Sequence, residues 1–333
     1  ITPLGNSLPT ATNGSIAPLA PDPSAQLRVI RALRDERFEL LHVHEPLAPG
    51  PTLTAVVLKQ SPIVATFHRA GPSKTYEFFN RQVRWAAKRI DVNCAVSEEA
   101  AATAREALGG NYEVLFNGIE LDRYVSTTRR ENTRTIFFLG RHEPRKGLEV
   151  LIRAMQFLPD ETRLWIASDG PDTSRLQKAT EDDRRIEWLG RISEEEKVSR
   201  LQKASVFCAP SLGGESFGIV LLEAMASKTL VVASDIPGYS KLTRGGQDAL
   251  LFKSGDSTAL SRVLQMALYD LGASKTIVES AMLRVHQFSM DELAERYIKI
   301  YKKAVSQTPI IPLAKGGQFF SQRALYAKNF KKK

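Results

Sequence analysis

With 333 residues, 43% of them apolar and 25% charged, the chain is long enough for two domains of ordinary size and too rich in core-forming residues to be disordered. Its two cysteines, both inside apolar runs, exclude a disulfide framework, and no stretch reaches the roughly 18 to 20 apolar residues that a membrane-spanning helix needs. The net charge of +9 is concentrated at the end, where Lys315, Arg323, Lys328, Lys331, Lys332 and Lys333 occur with no acid. That composition fits a solvated tail or one drawn to anionic lipid, and nucleic acid is a poor third because no aromatic and basic residues interleave on a recognisable binding module.

Residues 1–20 are rich in Pro, Gly and Ser and contain no unit of strand, glycine loop and helix. Asp22-Pro23-Ser24 then opens a helical pattern to about residue 36, with Ser24 as the expected cap. Leu27, Val29, Ile30 and Leu33 supply apolar area there and Arg28, Arg31, Arg34 and Arg37 supply charge, which suits packing on a sheet or lying at a membrane surface. Buried strands are expected at 40–43, 62–66, 91–96 and 112–116, with helices at 78–88 and 98–108. The polar stretch 126–133 reads as a linker. Beyond it, strands are expected at 135–139, 163–167, 186–188, 206–209, 230–233 and 249–252. Helices alternate with them at 147–157, 194–203, 217–226 and 257–269, and an amphipathic helix follows at 290–305. The alternation predicts an α/β protein of two Rossmann-like domains.

The densest chemistry follows the apolar run 206–210. Gly213-Gly214-Glu215-Ser216-Phe217-Gly218 leads into a helix that carries Glu223, so two glutamates stand seven residues apart around a glycine-rich turn. Glycines there let backbone approach a ligand, and the amides that open the helix favour an anion. Carboxylates at such a turn make sense if they hold sugar hydroxyls while nearby cations meet the phosphates. Gly140-Arg141-His142-Glu143-Pro144-Arg145-Lys146-Gly147, after another apolar run, offers Arg141 as a fork and Lys146 as a point charge.

These residues resemble the retaining, nucleotide-sugar-dependent glycosyltransferases of family 4, which have two Rossmann-like domains in the arrangement called GT-B. Arg141 and Lys146 match the family's R-x4-K spacing, and Glu215 with Glu223 its E-x7-E. Ile166 to Pro171 is similar to its I-x-G-x-G-P turn, with Ser168 in place of the first glycine; Trp188-Leu189-Gly190-Arg191 and Val231-Val232-Ala233-Ser234-Asp235 fit the same template. Within the family, His42-Val43-His44-Glu45-Pro46, Ala65-Thr66-Phe67-His68 and the Gly213 to Gly218 turn most resemble the actinobacterial phosphatidylinositol mannosyltransferases.

The resemblance implies an acceptor-side domain at 1–128, a nucleotide-sugar domain at 129–288, a helix at 289–305 returning to the first domain, and a basic tail at 306–333. It also implies that the first domain lacks an opening strand, glycine-rich loop and helix, as a fragment of a longer product would. The donor is expected to touch Gly140, Arg141, Lys146, Arg191, Gly214, Glu215, Ser216, Phe217, Gly218 and Glu223, with Glu223 on the ribose. Catalysis would rest on His68, Arg141, Lys146 and Glu215. Arg28, Arg31 and Lys74 are the candidates for acceptor or membrane contact. His42 and His44 alternate on one strand face, but no third ligand of suitable spacing accompanies them, so neither a metal nor another cofactor is expected. The expected activity is transfer of a hexose, mannose from GDP-mannose, to a phosphatidylinositol-type lipid by a cytoplasmic protein peripheral to the inner membrane face. A UDP-sugar enzyme with a soluble or polysaccharide acceptor, or an inactive nucleotide-sugar-binding fragment, is the alternative. The sequence leaves the oligomeric state open.

Overall fold

A computed structural model describes residues 4, 8–12, 15–19, 22–36, 38–69, 80–125, 134–215 and 217–307. The expected linker at 126–133, Lys74, Ser216 and the tail from 308 onward lie outside the described residues. Contacts divide the chain into two units: described residues up to Leu115 together with those from Ala294, and Phe116–Leu293.

In the first unit, β1 (Leu8–Thr12) and β2 (Ser15–Leu19) pair as an antiparallel ribbon, within a stretch whose sequence showed only turn-formers. The helix α1 (Pro23–Glu36) follows, capped by Asp22 and not by Ser24: Asp22 Oδ1 accepts the Ala25 N–H at 2.7 Å, and the Ser24 hydroxyl donates to the same carboxylate. A carboxylate one residue outside the helix reaches the third amide, a geometry that a serine already within the first turn has lost. Next come β3 (Leu41–His44), α2 (Pro51–Leu58), β4 (Ile63–Phe67), α3 (Asn80–Ala87), β5 (Val92–Ala95), α4 (Glu98–Leu108) and β6 (Glu113–Val114). The four strands β3 to β6 lie parallel in sequential order, with His42 opposite Val64 and His44 opposite Thr66. Val29, Leu33, Val56, Ile63, Phe67 and Ile90 form the core beneath the helices.

The second unit is a six-stranded parallel sheet in the order β12-β11-β10-β7-β8-β9. Its elements are β7 (Thr135–Leu139), α5 (Leu148–Met155), β8 (Arg163–Ala167), α6 (Thr173–Ala179), β9 (Ile186–Gly190), α7 (Glu194–Lys203), β10 (Val206–Ala209), α8 (Ile219–Ala226), β11 (Leu230–Ser234), α9 (Pro237–Leu242), β12 (Leu250–Phe252), α10 (Ser257–Tyr269) and α11 (Leu271–Val285). Strand period 2 sorts its core into two layers. Phe137 of β7 joins Phe207, Leu221 and Met225 on one face, whereas Ile136 and Phe138 join Leu151, Met155 and Ile166 on the other. The chain winds outward from β7 to β9, returns to the middle at β10, and winds the other way to β12. The strand order therefore reverses between β7 and β10, and their carboxyl ends form the crevice where open α/β sheets bind ligands.

The division between units falls at 115 and not at the expected 128. Residues 116–125 pack on the second core: Phe116 stacks on Phe217 at 5.3 Å, the Ile119 amide donates to the Phe288 carbonyl at 2.9 Å, and Tyr124 is buried. The last helix, α12 (Met290–Gln307), belongs to the second unit up to Leu293 and to the first from Ala294. In the first unit its Tyr297 and Tyr301 meet the β3–β4 edge, where the Tyr301 hydroxyl lies 2.8 Å from His42 Nδ1 and the Tyr297 hydroxyl 3.0 Å from Thr66 Oγ1.

Candidate active site

The loops after β7 and β10 meet at the reversal point of the second sheet, and backbone contact holds them together. The Leu212 amide donates to the Arg145 carbonyl at 2.8 Å. Gly147 has φ 69°, and a Cβ added there would lie 1.9 Å from the Pro210 carbonyl oxygen, so no other residue lets the two loops close to this distance. Gly218 opens α8 at φ 85°, where a Cβ would lie 2.7 Å from the Tyr239 ring.

The closure converges cations on Glu215. Its Oε1 accepts from Lys146 Nζ at 2.6 Å and from Arg145 Nη1 at 2.8 Å. Arg145 also donates from Nη2 to the buried Glu143 Oε1 at 2.7 Å, thereby bridging two carboxylates. Arg141 Nε lies 3.3 Å from Glu143 Oε2 but makes no hydrogen bond. The cluster is half-buried, so its charges are poorly screened, and three cations face two carboxylates with one positive charge in excess. An incoming anion would find that excess charge beside groups already held in place.

Glu223 is buried on α8 and is not the exposed helix carboxylate that its surroundings in sequence would allow. Its Oε1 accepts from Lys197 Nζ at 2.8 Å and from the Tyr124 hydroxyl at 3.0 Å. Burial works against the Lys197 charge, yet Glu194 and Glu223 more than offset it and hold the ammonium above its usual range. Burial and the Glu223 charge push the Tyr124 phenol up, so it stays a donor at neutral pH. Removing one partner of so desolvated a pair costs about 3–5 kcal/mol.

On the β8 side, Arg191 Nε donates to Asp169 Oδ2 at 2.6 Å and Nη2 donates to Oδ1 at 3.2 Å, an exposed fork at the strand ends. The fully buried His142 ties this turn to the β7 loop: its amide donates to the Asp169 carbonyl at 3.0 Å, and its Nδ1 lies 2.8 Å from Thr173 Oγ1. Gly140 and Gly214 sit in the two facing loops. The Phe217 ring is buried against Phe116 and Phe288, so its side chain anchors the turn to the core and only its backbone is left for the turn's open side.

In the first unit, His68 follows β4 and its Nε2 lies 2.7 Å from His44 Nδ1, so one of the two carries the proton and donates. The His68 amide donates to Glu45 Oε1 at 2.7 Å. His42 lies behind them, with Nε2 2.8 Å from Thr66 Oγ1. Burial, reinforced by the charges of His44 and His68, lowers His42 to about 4; burial also lowers His44 and His68. The row is therefore neutral at pH 7 and can exchange hydrogen bonds with hydroxyls. Arg28 is engaged inside its own unit, donating to the Leu4 carbonyl at 2.7 Å and to Ser24 Oγ at 2.9 Å, whereas Arg31 is exposed on α1 beside the exposed Leu27 and Ile30.

Arg145, Glu143, Lys197 and Tyr124 were missed as site residues from sequence. Arg145 stood in view next to Lys146, and a glutamate within a cation-rich loop was the signal that a second cation had to neutralise it. Lys197 looked like an ordinary surface partner of the Glu194 to Glu196 run, and nothing local tied Tyr124 to a helix 99 residues later.

Residues 4–123 match the family model described as Glycosyltransferase Family 4, and residues 133–270 the one described as Glycosyl transferases group 1. The chain is 34% identical over 319 residues to a phosphatidyl-myo-inositol mannosyltransferase of Mycobacterium leprae, covering 93% of this chain and 85% of the relative. It is 38% identical over 253 residues to the Mycobacterium tuberculosis protein of the same name, covering 73% and 67%. Among solved structures, Anabaena HepE in complex with UDP superposes with a TM-score of 0.71 at 18% identity, covering 86% of this chain and 85% of that one. Sucrose-phosphate synthase from Thermosynechococcus elongatus gives 0.69 at 20% identity, covering 90% and 86%, so the GT-B fold is shared well beyond detectable sequence likeness. With both sheets, the cation and carboxylate cluster at the strand reversal, and these matches in agreement, the chain belongs to the family 4 glycosyltransferases.

Proposed function

We propose that the protein transfers a mannosyl group from GDP-mannose to the inositol headgroup of a phosphatidylinositol-type lipid, with retention of anomeric configuration, as a peripheral protein at the inner membrane face. The observation that carries this reading is the 34% identity to a phosphatidyl-myo-inositol mannosyltransferase over 93% of the chain. Charge supports it. Transfer of a glycosyl group builds positive charge at the anomeric carbon and negative charge on the departing diphosphate, so cations aimed at the diphosphate stabilise the transition state more than the bound donor.

Arg141 and Lys146 take that role, and Arg145 holds Glu215 still so that its carboxylate can accept hydroxyls of the donor sugar. Glu223, fixed through one oxygen by Lys197 and Tyr124, offers its other oxygen to the ribose. His68, neutral and steadied by His44, is suited to a sugar hydroxyl. The leaving phosphate oxygen takes the proton of the acceptor hydroxyl on the same face, a route that asks for no protein nucleophile. Among the described residues no helix is long and apolar enough to cross a membrane, and α1, with Arg31, Leu27 and Ile30 exposed, provides an interfacial surface.

The test is GDP-mannose labelled in the sugar, incubated with the full chain and phosphatidylinositol vesicles, with label followed into the lipid extract. UDP-glucose in parallel decides the donor. Label carried by UDP-glucose alone would replace the donor assignment, and donor binding with no transfer from either would leave a nucleotide-sugar-binding protein.

A further inference from the structure

A groove of about 710 Å³ runs between α2 and α3 in the first unit, within the roughly 300–1,000 Å³ typical of ligand sites. Leu53 and Val57 form one wall, and Val83, Trp85 and Ala86 the other. The lining is almost wholly apolar, yet Val57 and Trp85 remain 41% and 53% exposed. Apolar and aromatic surface is thus left open along two adjacent helices.

Two further features say what the partner is. The first is charge. Lys59 is neutralised by Asp91 at 3.0 Å, but Arg81, Arg84, Lys88 and Arg89 stand along 80–90 with no acid among them. Arg81 stands on the rim, and Arg89 lies over the Trp85 ring at 5.2 Å and donates to the Val56 carbonyl at 3.0 Å. An apolar trough with a cationic rim and an exposed tryptophan is complementary to an anionic amphiphile whose chain lies in the trough and whose headgroup meets the rim. The second is continuity. Leu47 and Pro49, which also line the groove, belong to the loop that leaves β3 at His44, and that loop is folded back by the Ala48 amide and the Thr52 hydroxyl, both donating to the Glu45 carbonyl. The groove thus starts three residues from the histidine row, within the unit expected on the acceptor side.

We infer that the α2–α3 groove binds an acyl chain of the anionic phospholipid acceptor, so that the enzyme selects its acceptor by a lipid tail as well as by the headgroup. This rests on the lipid-acceptor reading above and adds to it a binding site for the chain.

Trp85 reports occupancy directly. The full chain is mixed with phosphatidylcholine vesicles containing phosphatidylinositol brominated in its acyl chains, and with vesicles brominated only in phosphatidylcholine; the Trp85 signal is taken as the difference between wild type and Trp85→Phe. Bromine on phosphatidylinositol is expected to quench Trp85 more than bromine on the bulk lipid. In turnover, Val57→Glu is expected to raise KM for long-chain phosphatidylinositol about tenfold, the effect of roughly two lost methylene contacts, and to leave deacylated glycerophosphoinositol unaffected. Val57→Ser, a milder change at the same exposed position, should move KM in the same direction and guards against misfolding. Equal quenching by both vesicles, or wild-type KM in both Val57 variants, overturns the groove as an acceptor site while leaving mannosyl transfer intact. Quenching by brominated phosphatidylinositol without transfer to either acceptor would instead sink the mannosyltransferase reading and leave the groove a lipid site. A dimer seen by light scattering that Val57→Glu dissolves would assign the groove to a second copy of the chain and overturn the proposal.

Discussion

The two units share a parallel-sheet plan and build their ligand-facing ends from opposite materials. In the second unit the strand order reverses between β7 and β10, and the crevice holds cations and carboxylates locked to one another and to backbone. In the first unit β3 to β6 run in sequence, and the ends of β3 and β4 carry neutral histidines bordered by tyrosines and leading to an apolar groove. A reversal point opens a crevice whose backbone amides and loop charges can be fixed before a ligand arrives, which suits a diphosphate that brings its own charge. A hydroxyl acceptor with a lipid tail needs hydrogen-bond partners of flexible role and apolar surface. The difference predicts that the second unit is sensitive to single atoms and charges, and the first to protonation and to apolar area.

The largest expected effect lies at the loop closure of the second unit. Gly147→Ala places a Cβ 1.9 Å from the Pro210 carbonyl at φ 69°, so the β7 and β10 loops must part. The expectation is a loss of about 4 kcal/mol or more in the thermal unfolding of that unit, together with loss of donor binding. Normal donor affinity in this variant would show that the closure does not organise the site. Next, Lys146→Met removes one cation from Glu215 without a steric change. It should lower kcat about 10²–10³-fold with a smaller change in donor Kd, because the charge acts most strongly on the leaving diphosphate. An equal loss in Kd with kcat preserved would make Lys146 a ground-state binding residue only.

The contrast also explains what could be read from sequence. Strand period and glycine-bounded apolar runs placed the main strands of both sheets, since buried parallel strands are continuous apolar runs whichever unit they join. The pairing of Lys146 with Glu215 was legible as two motifs but not as one contact, because the residues meet only through the strand reversal. The direction of the Phe217 side chain was not legible: a phenylalanine in a glycine-rich turn can point either way, and here its ring packs against Phe116 and Phe288. The segment 116–125 was assigned to the wrong side because its polar neighbours at 126–133 looked like the natural break, whereas the buried Ile119 and Tyr124 anchor it to the second core. The α2–α3 groove had no local signal at all, since each wall alone is an ordinary short helix.

Protonation is the first unit's weak point. With His42 lowered to about 4 from the ordinary 6.5 of a histidine, the unfolded chain takes up a proton over that interval that the folded chain refuses. Stability is therefore constant above pH 6.5 from this source and falls as pH drops from 6.5 towards 4. The expected loss is roughly 2 kcal/mol after allowance for solvent at the edge of the ring. His42→Gln, which can bond Thr66 and Tyr301 without titrating, should flatten that part of the profile in denaturant unfolding followed against pH. Identical slopes in wild type and variant would mean that the row opens to water before it protonates.

The smallest effect returns to the second unit and runs in the stabilising direction. Ser168 stands where the family turn carries a glycine, and it has φ 88°, a left-handed conformation that costs a residue with a Cβ about 1–2 kcal/mol. Its amide is nevertheless committed, donating to the Gly190 carbonyl at 2.6 Å, so the backbone cannot relax without breaking the link between the ends of β8 and β9. Ser168→Gly removes the strain but gives the unfolded chain more freedom, which returns roughly 0.5–1 kcal/mol. The net expectation is a gain of about 0.5–1 kcal/mol, visible as a rise of a few degrees in the second unit's Tm. Because Asp169 and Arg191 lie directly beyond that link, donor affinity reports whether the strain serves the site. An unchanged Kd with higher Tm makes Ser168 a tolerated departure from the turn, whereas weaker donor binding in the more stable variant means that the strained serine sets the angle at which the Asp169–Arg191 fork faces the donor.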